Sequence, residues 1–224
     1  MILYAIPTPL GGAAVDALPP AALQTIRTLK DFAVENAKSA RAFLGGLGMP
    51  VRELNVFELE NEGNPLKPLQ EGRDLGLLSE AGAPAIADPG AKLVEAAHDA
   101  GFQVVPLVGP SSILLALMAS GLEGQRFAFC GYLPREAAER EKRIRELEAR
   151  SRRESETEIF IETPYRNQAL LDALLKSGKP TTRLCVAADL TLATESIQSR
   201  TIAAWRTSAA AIGKRPAVFL LLAK

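Results

Sequence analysis

An α/β fold of two domains is the class this sequence predicts, on three observations. Short apolar runs alternate with helical patterns along the chain, and in the first half this argues a mainly parallel sheet covered on both faces. From Leu77 to Leu122, LLSEAGAPAIADPGAKLVEAAHDAGFQVVPLVGPSSILLALMASGL places two turn-forming loops where strands hand over to helices. The pattern pauses at residues 121–124 and restarts, so one domain is expected over 1–122 and a second over 123–224. With 224 residues and 47% hydrophobic content, each half can build a core of ordinary domain size.

Residues 2–6 predict a short buried strand, followed by the loop Pro7-Thr8-Pro9-Leu10-Gly11-Gly12. Pro19-Pro20 leads into a helix over 21–29, since proline suits a first helical turn. A strand end is expected at 32–35, a helix over 37–44 stopped by Gly45-Gly46, a strand-like run over 51–59 and a short helical connection over 65–70. Leu75, Leu77 and Leu78 begin the next strand, and loop 79–90 then carries Gly82, Pro84, Pro89 and Gly90, which break helix and strand alike. A helix over 91–100 has Leu93, Val94, Ala96 and Ala97 on one side and Gly101 beyond its end. After a strand over 102–108, Gly109-Pro110-Ser111-Ser112 puts hydroxyls where serine caps a helix, here an apolar one over 113–120.

In open α/β sheets, the carboxyl ends of strands and the helix amides facing them form the usual crevice for a cofactor. Glycine and proline also mark plain tight connections, and a single such loop would carry no more than that. Two on successive strands, with the Pro/Gly loop after the first strand, point to a shared ligand site.

The second half predicts strands at 127–133, 158–162, 183–189, 195–199 and 217–222, with helices at 135–153, 165–176 and 202–211. The 135–153 helix has eight basic and five acidic residues, and Glu139–Arg143, Glu141–Arg145, Glu146–Arg150 and Glu148–Arg152 fall at i, i+4. A solvated, self-paired helix is the expectation, with phosphate contact at Arg150, Arg152 and Arg153 as the alternative. No aromatic residues interleave there to stack on bases.

Lys plus Arg equals Asp plus Glu at 26 each, so no overall field draws the protein to nucleic acid or membrane. Cys130 and Cys185, outside any C-x-x-C pair, are expected to be buried thiols in a reducing cytoplasm. His98, the only histidine, falls on a solvated helix face, which argues against Ser-His-Asp or Cys-His hydrolysis and against histidine-rich metal sites. No metal is expected. The N-terminal run lacks a basic region and ends at Pro7, and no run approaches the roughly 20 apolar residues of a membrane span. A soluble, cytoplasmic protein without a membrane partner is expected.

Taken together, Pro7-Thr8-Pro9-Leu10-Gly11, Ser79-Glu80-Ala81-Gly82-Ala83-Pro84 through Asp88-Pro89-Gly90, and Val105-Pro106-Leu107-Val108-Gly109-Pro110-Ser111-Ser112 resemble the tetrapyrrole methylase superfamily. Within it the chain is most similar to the branch that methylates small-subunit ribosomal RNA. Further likenesses are Val34-Glu35-Asn36 leading to Arg41, the turn from Phe129 to Pro134, Ile161-Glu162-Thr163-Pro164-Tyr165-Arg166, and Leu190-Thr191 through Glu195. Departures are Gly12 and Asn36-Ala37 where that branch has Asn and Asp-Thr, a missing HEHN-type segment near 55–61, and Lys214-Arg215-Pro216 in place of Lys-Gly-Glu.

The resemblance implies two α/β domains, usually in a homodimer, with S-adenosylmethionine in the cleft between them. It implies Leu10, Ala83, Ile86, Ser111, Ser112, Leu190 and Pro216 as cofactor-binding residues. For a ribose hydroxyl acceptor, Asp88, Glu80 and Glu162 are the candidate bases. Structural roles compete: Asp88 as a cap for the following helix, Glu162 as an i, i+4 partner of Arg166. Arg41, Arg166 and Lys214 are the candidates for orienting an anionic substrate. Ribosomal RNA or the small ribosomal subunit is the expected partner, with 2'-O-methylation of ribose the expected reaction. Methylation of a small molecule such as a tetrapyrrole, and a non-catalytic binding protein that keeps the cofactor fold, are the alternatives.

Overall fold

The computed structural model describes residues 1–60, 63–208 and 211–224. The chain divides into two compact units, Met1–Ser111 and Ser112–Lys224.

In the first unit the elements run β1 (Ile2–Ile6), α1 (Ala14–Ala17), α2 (Pro20–Thr28), β2 (Asp31–Val34), α3 (Ala37–Gly46), a 3-10 turn at Val51–Glu53, β3 (Asn55–Glu58), α4 (Lys67–Gln70), β4 (Leu75–Leu78), α5 (Ala91–Asp99) and β5 (Gln103–Pro106). The sheet order is β3-β2-β4-β1-β5 and every pairing is parallel. Alternation along the strands separates two cores. Ile6, Phe32, Val34 and Leu78 pack with α2 and α3, while Leu3, Ala33, Leu75 and Leu77 pack with Leu66, Leu69, Leu93 and Ala97 on the opposite face.

Register decides where the loops emerge. Ile6 lies beside Leu78, Leu78 beside Val34, and Val34 beside Glu58, so the strands end nearly flush and loops 7–12, 35–36 and 79–90 leave from one edge. Asn36 caps α3, its side chain accepting from Lys38 N at 2.9 Å and Ser39 N at 3.1 Å. The departure from the branch's Asp-Thr thus keeps a good capping residue. Asn36→Ala should cost about 1 kcal/mol in thermal or urea unfolding, whereas Asn36→Asp should be nearly neutral.

The second unit runs α6 (Ser112–Ser120), β6 (Phe127–Tyr132), α7 (Ala137–Glu154), β7 (Thr157–Glu162), α8 (Asn167–Ser177), β8 (Arg183–Ala188), β9 (Ser196–Thr201), α9 (Ile202–Arg206) and β10 (Ala217–Leu222). Its sheet, β6-β7-β10-β8-β9, is mixed: β6 and β7 are parallel and the other pairings antiparallel. The core joins Ile144 and Leu147 of α7, Leu170, Leu171 and Leu174 of α8, and the stacked rings of Phe160 and Phe219. Trp205 is buried beside them, its Nε1 donating to Leu184 O at 2.8 Å.

Several expectations shift. The unit boundary falls at Ser111–Ser112 rather than at 122–123, because α6 packs on β8, β9 and β10. The strand-like run 51–59 splits, since Glu53 N bonds Pro50 O at 2.8 Å and closes a turn before β3. The helix expected over 165–176 begins at Asn167, after a turn at Thr163–Arg166, and the one expected over 202–211 ends at Arg206, with 209 and 210 outside the described residues. The four-residue α1 was not anticipated, and residue 61 of the segment compared with HEHN also lies outside the described residues.

Candidate cofactor site

Three loops at the carboxyl edge of the first sheet are locked together. Thr8 N donates to Gly82 O at 2.8 Å and Gly82 N to Thr8 O at 3.0 Å, a reciprocal bridge between loops 7–12 and 79–90. Ser79 Oγ adds a bond to Gly82 O at 3.2 Å. Gly82 has φ 82°, where a side chain is strained, and a Cβ there would meet Leu10 Cδ2 at 3.2 Å and Pro110 O at 3.8 Å. Gly109 closes the third loop onto the first, since a Cβ on it would fall 2.5 Å from Pro7 Cβ and 2.8 Å from Leu18 Cδ2. Gly109→Ala should therefore push these loops apart, cost about 1–3 kcal/mol in unfolding experiments, and weaken any ligand held by them.

Within loop 79–90, Ala85 and Ala87 have φ of 63° and 66°, in the left-handed region. Each costs about 1–2 kcal/mol relative to ordinary backbone, and such strain gathers at ligand clamps. Between them Ile86 is held 49% exposed, an apolar side chain turned largely to solvent. Beside the loops lies a cavity of about 420 Å³, lined by Pro9, Leu10 and Gly11, by Ala42 and Phe43 of α3, and by Glu80. That size and mixture of apolar walls with the polar side chains of Thr8 and Glu80 suit a small-molecule ligand. A second cavity, about 450 Å³, has Asp88 in its wall with Leu59, Pro65 and Lys92.

The carboxylates at this edge have different surroundings. Glu80 Oε1 accepts from Ser39 Oγ at 3.3 Å, and Glu35 Oε2 accepts from Glu80 N at 3.2 Å. Glu58 Oε1 takes Ala37 N at 2.8 Å, so Glu58 and Asn36 together satisfy the first amides of α3. Asp88 is half-buried, and desolvation first, then the charges of Glu35 and Glu80, push its carboxyl up to about 6 against the opposing hydrogen bond from Ser79. It does not cap α5: Gly90 holds that position, with no side-chain cap.

In the second unit, Glu162 ends β7 opposite Ala217, which also faces Ala188 at the end of β8. Asp189 N donates to Pro216 O at 3.0 Å, which ties the loop that holds Leu190 to the one that holds Pro216, and Asp189 and Thr191 have φ of 54° and 72°. Leu190 is buried and Pro216 exposed. Glu162 Oε1 accepts Thr163 N at 2.7 Å and Arg166 Nε at 3.0 Å, so the expected i, i+4 pair forms, while Glu162 Oε2 and Arg166 Nη1 are buried without a partner among the described residues. Lys214 Nζ lies 5.2 Å from the ring centroid of Tyr165. In the first unit, Ala83 and Ser111 are half-buried in their loops and Arg41 is exposed on α3; Ser112 is the first residue of α6.

The charged helix corrects its expectation. Of the four i, i+4 pairs only Glu141–Arg145 forms, at 3.9 Å. Arg143 turns to Glu146, Glu148 is buried and accepts Lys179 N at 2.7 Å, and Arg150 leaves the helix surface for Glu158 of β7. Arg152 Nε donates to Lys224 O at 3.0 Å and Arg153 Nε to Glu154 at 2.7 Å, while Arg150 is drawn away from them to Glu158. Sequence reasoning missed the Arg150–Glu158–Cys130 cluster. Cys130 Sγ lies 3.2 Å from Glu158 Oε2 and 3.1 Å from Arg150 Nη2, and burial, with Glu158 adding to it, pushes the thiol up to about 11.

A family model described as tetrapyrrole (corrin/porphyrin) methylases matches residues 3–204. The chain belongs to the tetrapyrrole methylase family. Methyltransferases of this family take the methyl group from S-adenosylmethionine. Among curated relatives, ribosomal RNA small subunit methyltransferase I of Mesorhizobium japonicum is 34% identical over 206 residues, covering 90% of this chain and 68% of that one. The proteins of the same name from Bacillus subtilis and Pseudomonas aeruginosa are 35% and 37% identical, each over 77% of this chain and 58% and 59% of their own. The chain thus spans somewhat under three fifths of the last two. The crystal structure of the methyltransferase CobJ superposes with a TM-score of 0.62 at 19% identity, covering 99% of this chain and 93% of that one, which establishes the family fold.

Proposed function

We propose that this chain is an S-adenosylmethionine-dependent methyltransferase that acts on small-subunit ribosomal RNA at a ribose 2'-oxygen. The observation that carries the cofactor half is the locking of three carboxyl-edge loops around Gly82, beside a cavity of about 420 Å³ walled by Leu10. The fit is chemical as well as spatial. Leu10 and Ile86 offer apolar contact to an adenosine, and the backbone of loops 79–90 and 107–111 offers polar groups to a zwitterionic amino acid end. The RNA half rests on the 34–37% identity to proteins named for ribosomal RNA.

S-adenosylmethionine, when bound, supplies a methyl group on a sulfonium. The chain's own part is to hold the acceptor in line and to take its proton, and positioning supplies much of the acceleration. Of the three candidate bases, Asp88 suits the second task best. Glu162 is engaged through Oε1 by Arg166 and Thr163 N, and Glu80 through Oε1 by Ser39, while Asp88 lines the second cavity and titrates at about 6.

The reading is tested by incubating the protein with small ribosomal subunits and methyl-labelled S-adenosylmethionine, then digesting the RNA to nucleosides. Label in a 2'-O-methylnucleoside supports it. Label on a base would move the acceptor atom, and transfer only to a small molecule would remove the RNA.

A further inference from the structure

Tyr165 is 80% exposed, yet the turn that carries it is held by hydrogen bonds. Arg166 N donates to Thr163 O at 2.9 Å, Pro164 fixes the second position, and buried Glu162 holds both Thr163 N and the Arg166 guanidinium. Among the described residues, the ring is not part of the second unit's core cluster. Lys214 sits over it, with Nζ 5.2 Å from the centroid, on a loop that is also tied down. Fully buried Asn167 donates to Arg215 O at 2.6 Å, and Arg215 Nε donates to Ile212 O at 2.8 Å. Buried polar groups therefore fix both the tyrosine turn and the lysine loop, though neither exposed side chain contributes to the core.

We propose that Tyr165 and Lys214 form a platform on which an unpaired base of the RNA acceptor stacks, with the Lys214 ammonium neutralising an adjoining phosphate. The inference rests on the ribosomal RNA reading above and names where this chain grips that substrate. RNA is read chiefly at single-stranded segments, whose splayed bases stack on aromatic side chains. A ring already ordered by its turn and by a cation over one face gives up little freedom on binding. Glu162 and Asn167 are positioning residues in this arrangement, and Arg166 serves the turn rather than a phosphate.

The test compares wild type with Tyr165→Ala, Tyr165→Phe and Lys214→Met. The probes are small ribosomal subunits and a fluorescein-labelled, mixed-sequence single-stranded oligoribonucleotide, with a parallel calorimetric titration of S-adenosylmethionine. Tyr165→Ala should weaken RNA binding about 5- to 150-fold, as removal of an aromatic stack does, and Tyr165→Phe should keep it. Lys214→Met should flatten the slope of log affinity against log salt by about 0.7. Affinity for S-adenosylmethionine should stay at the wild-type value in all three, which also shows that they fold.

Equal RNA binding by Tyr165→Ala and wild type would overturn the platform and leave the RNA reading standing. A parallel loss of S-adenosylmethionine affinity would assign the ring to the cofactor instead. Failure of wild type to bind either RNA probe while it binds S-adenosylmethionine would sink the RNA reading and the platform together. Tyrosine-dependent binding of a carboxylated porphyrin in that last case would assign the ring to a macrocycle.

Discussion

Asp88→Asn should lower the rate of methyl transfer about 10²- to 10⁴-fold while leaving S-adenosylmethionine affinity near the wild-type value, the range expected for loss of a general base. Wild-type activity should rise through pH of about 6 and then level, because only the ionised carboxylate accepts the proton. In the variant that limb should vanish. Stability should move the other way. The folded carboxyl titrates at about 6, above its ordinary 3.8, so ionisation opposes folding. The stability it lends is fully present below the ordinary value and is lost as pH rises through about 6. Asp88→Asn should therefore be more stable than wild type by about 1 kcal/mol at pH 7.5, discounted for the solvent that reaches this half-buried group, and show no such gain at pH 4. Melts at the two pH values and a pH–rate profile check both statements. A variant with full activity and an unchanged pH profile would remove Asp88 from the chemistry.

Arg150→Met should destabilise the second unit by about 3–5 kcal/mol, the cost of stranding a buried carboxylate whose partner is half-buried. Glu158 is fully buried on β7, and Arg150 meets it twice, with Nε 2.7 Å from Oε1 and Nη2 on Oε2. Cys130 is the remaining contact to that carboxylate. Adding Glu158→Gln should recover part of the loss, because the uncompensated charge is then gone, and a double-mutant cycle would measure the coupling. Trp205, the only tryptophan, is buried in the same unit, so its fluorescence during urea unfolding reports on that unit. A change below about 1 kcal/mol would place the pair with ordinary surface salt bridges.

The parts of the fold that were legible in the sequence are those set by local chemistry. The parallel strands of the first unit followed from short apolar runs, and the loops at their ends from Gly82, Pro84, Pro89 and Gly90. The pairing of Glu162 with Arg166 followed from helical spacing across a turn. What could not be read depends on partners distant in sequence. A helix as apolar as α6 can cover either sheet, so its place in the second unit is a tertiary fact. Helical spacing assigned Arg150 to Glu146, but a buried carboxylate on β7 offers far more than an exposed one, and the side chain turns inward. Left-handed backbone at Ala85 and Ala87 has no signal in residue type, since alanine seldom adopts it. It is therefore a feature of the candidate site that only the structure supplies.

The central claim is that the loops around Gly82 and Ile86 hold S-adenosylmethionine, and calorimetric titration of that compound into wild type and Ile86→Asp tests it most directly. Ile86 is half exposed and stands outside the two core clusters described for the first unit, so the substitution should alter stability by less than about 0.5 kcal/mol. Saturable binding to wild type, weakened tenfold or more in a variant that melts like wild type, is the expected outcome. Absence of binding to wild type, or equal affinity in the two proteins, would contradict the site described for these loops.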